Sequence, residues 1–378
     1  MLDRFGPWSS ALGDGMSPHL DTFWKRRLSL LDSTRTARFA PTRRDGFLLG
    51  LLAIAAFGLP TLHLASAQSP NPDKYRGPSR IYVRANFNNP NDGQSKDLSG
   101  LFAIDPETGT RTKLVDDLGY RVRVSPDGRT LAISKSGWSG GRQIDDVGIW
   151  TIDSEGRGEK RKIADFGGTV SWSPDSKQII VSRGLTPITV GDEDKLHETW
   201  RMNADGSGAT RLPIPASDEV DDWSPDGRWV VTVSDRKEPK FPNYQLYVMH
   251  LDGTDQRLIT EGVGGNVYPR FSPDGKQVAY LYWDNKQHNL RVVNTDGSGR
   301  RVLINEENDV SHDFPVWSPD GKSIAYRMQT WERDPKDGHK FMSVGKSKPM
   351  LGVIDADGKN PRTIKLPPAL YIESPDWR

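Results

Sequence analysis

The strongest constraint in this 378-residue chain is a four-residue motif that recurs five times at nearly constant spacing. The copies begin at Ser125, Ser173, Ser224, Ser272 and Ser318. The intervals between them are 48, 51, 48 and 46 residues, and every copy reads Ser-Pro-Asp-Gly except the second, which ends in Ser176. Proline fixes φ at the second position of a turn, aspartate bonds the local backbone, and glycine accepts positive φ. Each copy therefore predicts a tight hairpin turn.

The sequence between these turns predicts short strands. An aromatic residue precedes four of the five copies, and a β-rich run such as 277–282 (QVAYLY) follows the turn. Later in four of the periods an Asp-Gly pair marks a second turn, and one more short strand follows it. No stretch has a convincing helical period. Four short strands in each period of about 48 residues are the signature of β-propeller blades.

The two ends of the chain predict how the ring closes. Three strands, near 81–83, 101–104 and 111–114, precede the first turn copy and lack an inner strand. At the other end, 374–377 (SPDW) aligns with 314–317 (FPVW), so a last inner strand is available. We predict an all-β fold over 79–378, a six-bladed β-propeller of four-stranded blades closed by the C-terminal strand pairing into the first blade. This closure removes free sheet edges.

An export signal is predicted at the N-terminus. An apolar run at 46–64 follows Arg43 and Arg44 and precedes Ala65-Ser66-Ala67, the order typical of a secretory signal. We predict removal of residues 1–67, a short flexible segment over 68–78, no stable membrane span after cleavage, and a periplasmic or secreted protein. An uncleaved anchor is the alternative, because 19 residues can cross a bilayer. The two arginines resemble a twin-arginine signal, and the Sec route stays open.

Charge and composition exclude several classes of function. The chain has 51 Lys and Arg against 50 Asp and Glu, a net charge of +1, which argues against a nucleic-acid binder that relies on a basic field. The absence of cysteine excludes disulfides and cysteine-based sites. The string 137–141 (GWSGG) matches a nucleophile elbow but falls in a loop between blade strands, without the strand–turn–helix context. We therefore predict no catalytic residues and no cofactor.

The five turn copies, most of them with an aromatic-Ser-Pro-Asp-Gly core, resemble the TolB-like propeller repeat, and the resemblance extends over roughly residues 79–378. It implies an exported six-bladed propeller that acts by binding. TolB itself carries an α/β domain before its propeller. Only residues 68–79 separate the predicted cleavage site from the first strand here, so we expect that domain to be missing.

Propeller topology separates two faces, of which one carries the short repeated turns. The long-loop face, as we name the other, carries the segments 86–99, 135–146, 183–196, 235–243, 283–289 and 328–349. Variable loops on a rigid scaffold are where binding usually resides. The predicted binding residues are His288, Arg270, His312, Asp313, Trp331 and His339. Histidines in this number allow a metal site, but no paired His-x-His or His-x-x-x-His spacing is present, so solvated loop histidines and no metal are predicted.

The inner strands predict a row of channel residues two places before each turn serine. They are Arg123, Ser171, Asp222, Arg270 and Val316, with Asp376 from the closing strand. Opposite charges in this row either pair between neighbouring strands or meet a charged ligand, and the sequence leaves both open.

Two functions follow from these patterns. The first is a non-catalytic, monomeric binding propeller whose long-loop face takes an envelope protein or polysaccharide and no nucleic acid. The alternative is an enzyme at the channel mouth, a lyase or hydrolase acting on carbohydrate or a lactone, with or without a metal.

Overall fold

The fold is known for most of the C-terminal four fifths of the chain. The computed structural model describes residues 78–87, 99–116, 121–135, 138–139, 142–143, 146–184, 197–236, 243–284, 288–305, 310–330, 332–333, 340–341, 349–367, 369 and 371–378. Their regular structure is entirely β. A search of these ranges finds no helix long and apolar enough to cross a membrane.

The described strands are numbered in chain order. They are β1 (Ile81–Asn86), β2 (Ser99–Ile104), β3 (Arg111–Val115), β4 (Arg121–Val124), β5 (Thr130–Lys135), β6 (Trp138–Ser139), β7 (Arg142–Gln143), β8 (Gly148–Asp153), β9 (Arg161–Ala164), β10 (Thr169–Trp172), β11 (Gln178–Gly184), β12 (His197–Asn203), β13 (Thr210–Arg211), β14 (Asp218–Trp223), β15 (Trp229–Ser234), β16 (Gln245–His250), β17 (Arg257–Leu258), β18 (Gly265–Phe271), β19 (Gln277–Trp283), β20 (His288–Asn294), β21 (Arg301–Ile304), β22 (Val310–Trp317), β23 (Ser323–Thr330), β24 (Glu332–Arg333), β25 (Lys340–Phe341), β26 (Met350–Asp355), β27 (Arg362–Thr363) and β28 (Tyr371–Trp377).

Six four-stranded antiparallel sheets form the blades of a propeller, as the repeat predicts. From the inner strand outward they are β28-β1-β2-β3, β4-β5-β8-β9, β10 to β13, β14 to β17, β18 to β21 and β22-β23-β26-β27, which we number blades 1 to 6. Two further hairpins, β6–β7 and β24–β25, fall between the second and third strands of blades 2 and 6. Both therefore belong to segments of the long-loop face.

The C-terminal strand closes the ring by pairing with β1. Ile81 lies opposite Trp377 and Asn86 opposite Tyr371. Beyond the strand, the Arg378 N–H donates to the Arg80 carbonyl at 3.0 Å. The Trp377 indole N–H donates to the Ser79 hydroxyl at 2.7 Å. The predicted closure is therefore confirmed, and blade 1 is assembled from both ends of the propeller.

The repeated turns have the geometry that their residues predict. In all five copies the serine hydroxyl donates to the aspartate carboxylate at 2.6 Å. The four glycines have φ between 70° and 76°, and Ser176, in the copy without glycine, adopts 61°. The same left-handed turn thus forms with or without glycine, and it carries no feature particular to one blade.

Hydrophobic cores lie between adjacent blades rather than inside them. One cluster joins Ile81 and Phe102 of blade 1 to Val316 and Leu351 of blade 6. Five equivalent clusters fill the other interfaces, so each blade contributes both faces of its sheet. Side chains alternate between the two faces of a strand, which is why nearly continuous apolar runs are needed in each blade.

Candidate ligand site at the propeller axis

The inner strands of five blades meet around a narrow depression on the propeller axis, which we call the axial depression. Its lining residues are Arg121, Arg123, Asp221, Tyr268, Arg270, Phe314, Pro315, Ser374 and Pro375. They come from β4, β14, β18, β22 and β28, so distant parts of the chain meet here. The volume open to the centre of a water molecule is about 10 Å³, which is room for one water.

Three lining residues share an unusual backbone. Tyr268, Phe314 and Ser374 have φ of 56°, 52° and 49°, and a proline follows each of them. All three stand where the inner strand bulges against its neighbour. A left-handed conformation costs a residue other than glycine about 1–3 kcal/mol, and such residues cluster at functional sites. The bulges place the Tyr268 and Phe314 rings 4.1 Å apart, between centroids, as an aromatic wall.

Arg270 is the centre of an ion-pair network across the axis. Its guanidinium lies 2.7 Å from an Asp376 oxygen and 3.4 Å from an Asp222 oxygen. Burial opposes the charge on Arg270, but Asp222 and Asp376 together raise its pKa above the ordinary value. Of the two interpretations open for these channel residues, pairing within the protein is therefore confirmed for Arg270, Asp222 and Asp376.

The same aspartates also connect neighbouring blades through the backbone. Asp376 accepts the Val124 N–H at 2.8 Å, and Asp222 accepts the Phe271 N–H at 2.9 Å. Ser171 has the equivalent role, accepting the Trp223 N–H at 3.0 Å. Each of these residues thus bonds the inner strand of the next blade, which gives the polar channel row a structural function.

Arg123 differs from Arg270 because no described carboxylate forms an ion pair with it. Its Nη1 donates to the Val122 carbonyl at 3.0 Å, and its Nε has no hydrogen-bond partner. Only 7% of the residue is exposed. Burial lowers the pKa of Arg123 to about 9, and the nearby charge of Arg270 adds to the decrease. A buried guanidinium without a counter-ion is costly and is a candidate for binding a ligand.

Asp221 is the second unusual group in the axial depression. It is 3% exposed, and its nearest cation is Arg121, whose Nη1 lies 3.4 Å from Oδ1. Burial raises the pKa of Asp221 to about 7, with Glu219 adding to the increase and Arg121 and Arg123 opposing it. A carboxyl group that titrates near neutral pH can exchange a proton under physiological conditions.

The structure brings only some of the predicted binding residues together. Arg270 lies in the axial depression. Asp313 is buried in β22 and binds Arg327, with 2.5 Å between Oδ2 and Nη2, and Arg327 lies over the Phe314 ring at 4.8 Å.

The predicted histidines lie apart from the depression. His312 is 7% exposed, with its ring 5.4 Å from that of Tyr326, so it is a buried side chain and not a solvated loop residue. His288 begins β20, with its ring 6.3 Å from that of Trp283. Trp331 and His339 lie outside the described residues. Within the described ranges no three His, Asp or Glu side chains are grouped to hold a metal ion.

Sequence reasoning missed Asp221 and the aromatic wall. In a regular strand Asp221 and Asp222 point to opposite faces, and only Asp222 stands two residues before the turn serine. The bulge between Val220 and Asp222 brings both residues to the axis. The available signal was the proline that follows Tyr268, Phe314 and Ser374 at the same offset in three inner strands.

The chain matches curated relatives over short stretches. The chain is 30% identical over 95 residues to the uncharacterized protein Atu1656 of Agrobacterium fabrum. It is 31% identical over 100 residues to dipeptidyl-peptidase 5 of Porphyromonas gingivalis. These matches use 25% and 24% of this chain and span 31% and 15% of the relatives, so the chain covers less than a third of either.

Solved structures extend the likeness to the whole propeller. TolB from Acinetobacter baumannii superposes with a TM-score of 0.57 at 18% identity, covering 79% of this chain and 66% of that one. Putative TolB from Agrobacterium tumefaciens superposes with a TM-score of 0.53 at 18% identity, covering 77% and 90%. At these identities the similarity shows the fold alone.

The family is identified by a sequence model. The model of the TolB beta propeller domain matches residues 122–336, more than half of the chain, and the match includes all five turn copies. Together with the six blades and the C-terminal closure, this match shows that the chain belongs to the TolB β-propeller family.

Proposed function

We propose that this protein is an exported, non-catalytic binding propeller that takes a partner protein or an envelope polymer at its long-loop face. The observation that carries the proposal is the axial depression, where inner strands of five blades present strained aromatic residues and a buried arginine without a counter-ion. The leader predicted over 1–67 supports a periplasmic or secreted location. We propose a monomer that does not bind nucleic acid.

The long-loop end of the channel offers the entry for such a ligand. Arg121 is the first residue of β4, at the end of the inner strand where the long connections begin. Its Nη2 lies 3.7 Å from Glu219, and Nε2 of His197 lies 4.0 Å from the same carboxylate. A ligand arriving at this end meets Arg121 together with the Tyr268–Phe314 pair, a mixture of charged and aromatic groups typical of small-ligand and peptide sites.

The six residues predicted from the sequence keep their proposed role in different ways. His288 and His312 are proposed as contacts near the long-loop face, and Trp331 and His339 keep the same proposed role. Asp313 is proposed to act through Arg327, which it holds against Phe314. Arg270 forms ion pairs with two aspartates, so its proposed contribution is to hold the lining of the axial depression in place.

The two faces are distinguished by a matched pair of histidine variants. His288 belongs to the long-loop face, whereas His250 lies at the turn face, where its Nδ1 is 3.1 Å from the Arg228 carbonyl. Purified protein is immobilised, and the partner retained from envelope extract of the source organism is identified and then titrated by calorimetry. We expect His288→Ala to weaken binding and His250→Ala to leave it unchanged. The reverse result in folded variants would show that the face is wrongly assigned.

The enzymatic alternative draws its support from Asp221. A buried carboxyl whose pKa is raised to about 7, beside two arginines, has the properties of a general acid or base. Incubation with lactones and with uronate polymers tests this function, and an accompanying elemental assay tests for a bound metal. Turnover that disappears in Asp221→Asn would favour the enzyme over the binding protein.

A further inference from the structure

The three arginines and three aspartates at the axis are equal in number but pair unevenly, and Arg123 is the arginine that has no ion pair with a described residue. Asp376 and Asp222 each bind Arg270 and a backbone N–H of the next blade. Asp221 has Arg121 as its nearest cation. Among the described residues, every carboxylate at the axis therefore has a cation other than Arg123. Because Arg270 takes two of these carboxylates, Arg123 faces the axial depression without an ion pair to the described part of the chain.

The size and walls of the depression restrict what can bind this charge. A guanidinium without an ion pair matches the planar fork of a carboxylate. The Tyr268–Phe314 pair, together with Pro315 and Pro375, forms apolar walls. The open volume of about 10 Å³ has room for one oxygen atom, so one carboxylate oxygen on a narrow stem can reach Arg123, whereas a pyranose ring cannot enter.

We propose that the propeller axis holds a site for one carboxylate group on a narrow aliphatic stem, with Arg123 as its anchoring cation and the Tyr268–Phe314 pair as its apolar wall. The inference deepens and rests on the proposed binding function, since this carboxylate is the group that the ligand of the long-loop face presents. Arg123 is a specificity residue in this scheme, because the aspartates around the depression repel any anion that does not reach its guanidinium.

A proton is linked to binding at this site. Asp221 is faced by Glu219 and Asp222 from its own strand, by Arg121 and Arg123 from β4, and by Arg270 from β18. A carboxylate bound at Arg123 adds a negative charge close to Asp221 and removes part of the stabilisation that Arg123 gives to the ionised form. Binding therefore favours protonation of Asp221, and by linkage ionisation of Asp221 weakens binding. The affinity is expected to fall between pH 6 and pH 8.

The first experiment uses formate and acetate as probes, titrated into the purified protein by calorimetry at constant ionic strength. We expect saturable binding with one site, weaker binding of sulfate and phosphate, and no binding of galacturonate, which carries its carboxylate directly on a pyranose ring. N-acetylglutamic acid α-amide presents the group on a side chain. If N-acetylglutamic acid α-amide binds more tightly than acetate, the carboxylate belongs to a polymer side chain. If it binds more weakly than acetate, the carboxylate belongs to a free acid. Absence of formate and acetate binding, or equal binding of galacturonate or sulfate, would overturn the proposal.

Variants separate Arg123 from a general effect of charge. Arg123→Gln should weaken acetate binding roughly 10- to 100-fold, as expected for a lost charge-assisted hydrogen bond. Arg157→Gln is the control, since it removes the same charge from an exposed side chain. Equal affinities in wild type and Arg123→Gln would refute the assignment.

Proton uptake provides a readout on the wild-type protein that does not depend on a variant folding. Titrations at pH 7 in two buffers of different ionisation enthalpy should show net uptake on acetate binding, and no uptake would contradict a carboxylate beside Asp221. These probes involve no partner. Acetate binding without capture of any envelope partner would therefore refute the proposed function and leave the carboxylate site standing.

Discussion

Replacement of Trp377 by alanine tests whether the C-terminal strand is integral to the ring. Trp377 is 4% exposed and belongs to the core cluster shared by blades 1 and 6. A core Trp-to-Ala change costs about 3–5 kcal/mol, and the variant also loses the indole bond to Ser79. The free energy of unfolding of a domain is only about 5–15 kcal/mol. We expect Tm to fall by roughly 5–15 °C in calorimetry or circular dichroism.

Trp172→Ala is the matched control, because Trp172 occupies the same position in a blade built from one continuous segment. It is 6% exposed and its indole N–H donates to the Arg123 carbonyl at 3.0 Å. The two variants should lose similar stability if β28 is held as firmly as β10. Closure by the C-terminal strand would be refuted if Trp172→Ala lowered Tm by this amount while Trp377→Ala stayed within a degree or two of wild type.

Three further predictions concern the axis and the leader. Arg270→Met leaves two buried aspartates without their cation and should lower the free energy of unfolding in urea by about 3–5 kcal/mol. Arg123→Met should lower it much less, because no described carboxylate forms an ion pair with Arg123, and equal losses would contradict the pairing. The pKa of Asp221 is raised from 3.8 to about 7 in the folded state, so its contribution to stability is complete below about pH 4 and is lost as the pH rises through 7. Asp221→Asn should therefore make the free energy of unfolding less dependent on pH between 5 and 8, and an unchanged pH profile would exclude this titration. N-terminal sequencing of exported protein should find a start at or near Gln68, and a start upstream of Gly46 would exclude cleavage of the predicted signal.

Some features of the site were accessible from the sequence because they repeat. The offset of two residues before each turn serine correctly selected Arg123, Asp222, Arg270 and Asp376 as residues of the axis. The offset did not reveal which charges pair. Arg270 and Asp376 are 106 residues apart, and their contact depends on closure of the whole ring.

The sequence by itself determined the fold of this protein. A turn of Ser-Pro-Asp-Gly is specified by its own four residues, through the fixed φ of proline and the hydrogen bonds of serine and aspartate. Five such turns at regular spacing, with strand-forming residues between them, leave few arrangements other than propeller blades. The aligned segment at 374–377 then supplied the closing strand, which the structure confirms.

The tertiary structure alone decided what lies at the axis. Bulges in the inner strands bring Asp221 and Asp222 to the same side and place Tyr268 against Phe314. A one-residue irregularity of this kind reverses the side to which a residue points, and periodicity cannot register it. That Arg123 has no ion pair within the described ranges likewise depends on how side chains from several blades meet at the axis, where Arg270 takes two of the carboxylates, and no local pattern describes that arrangement.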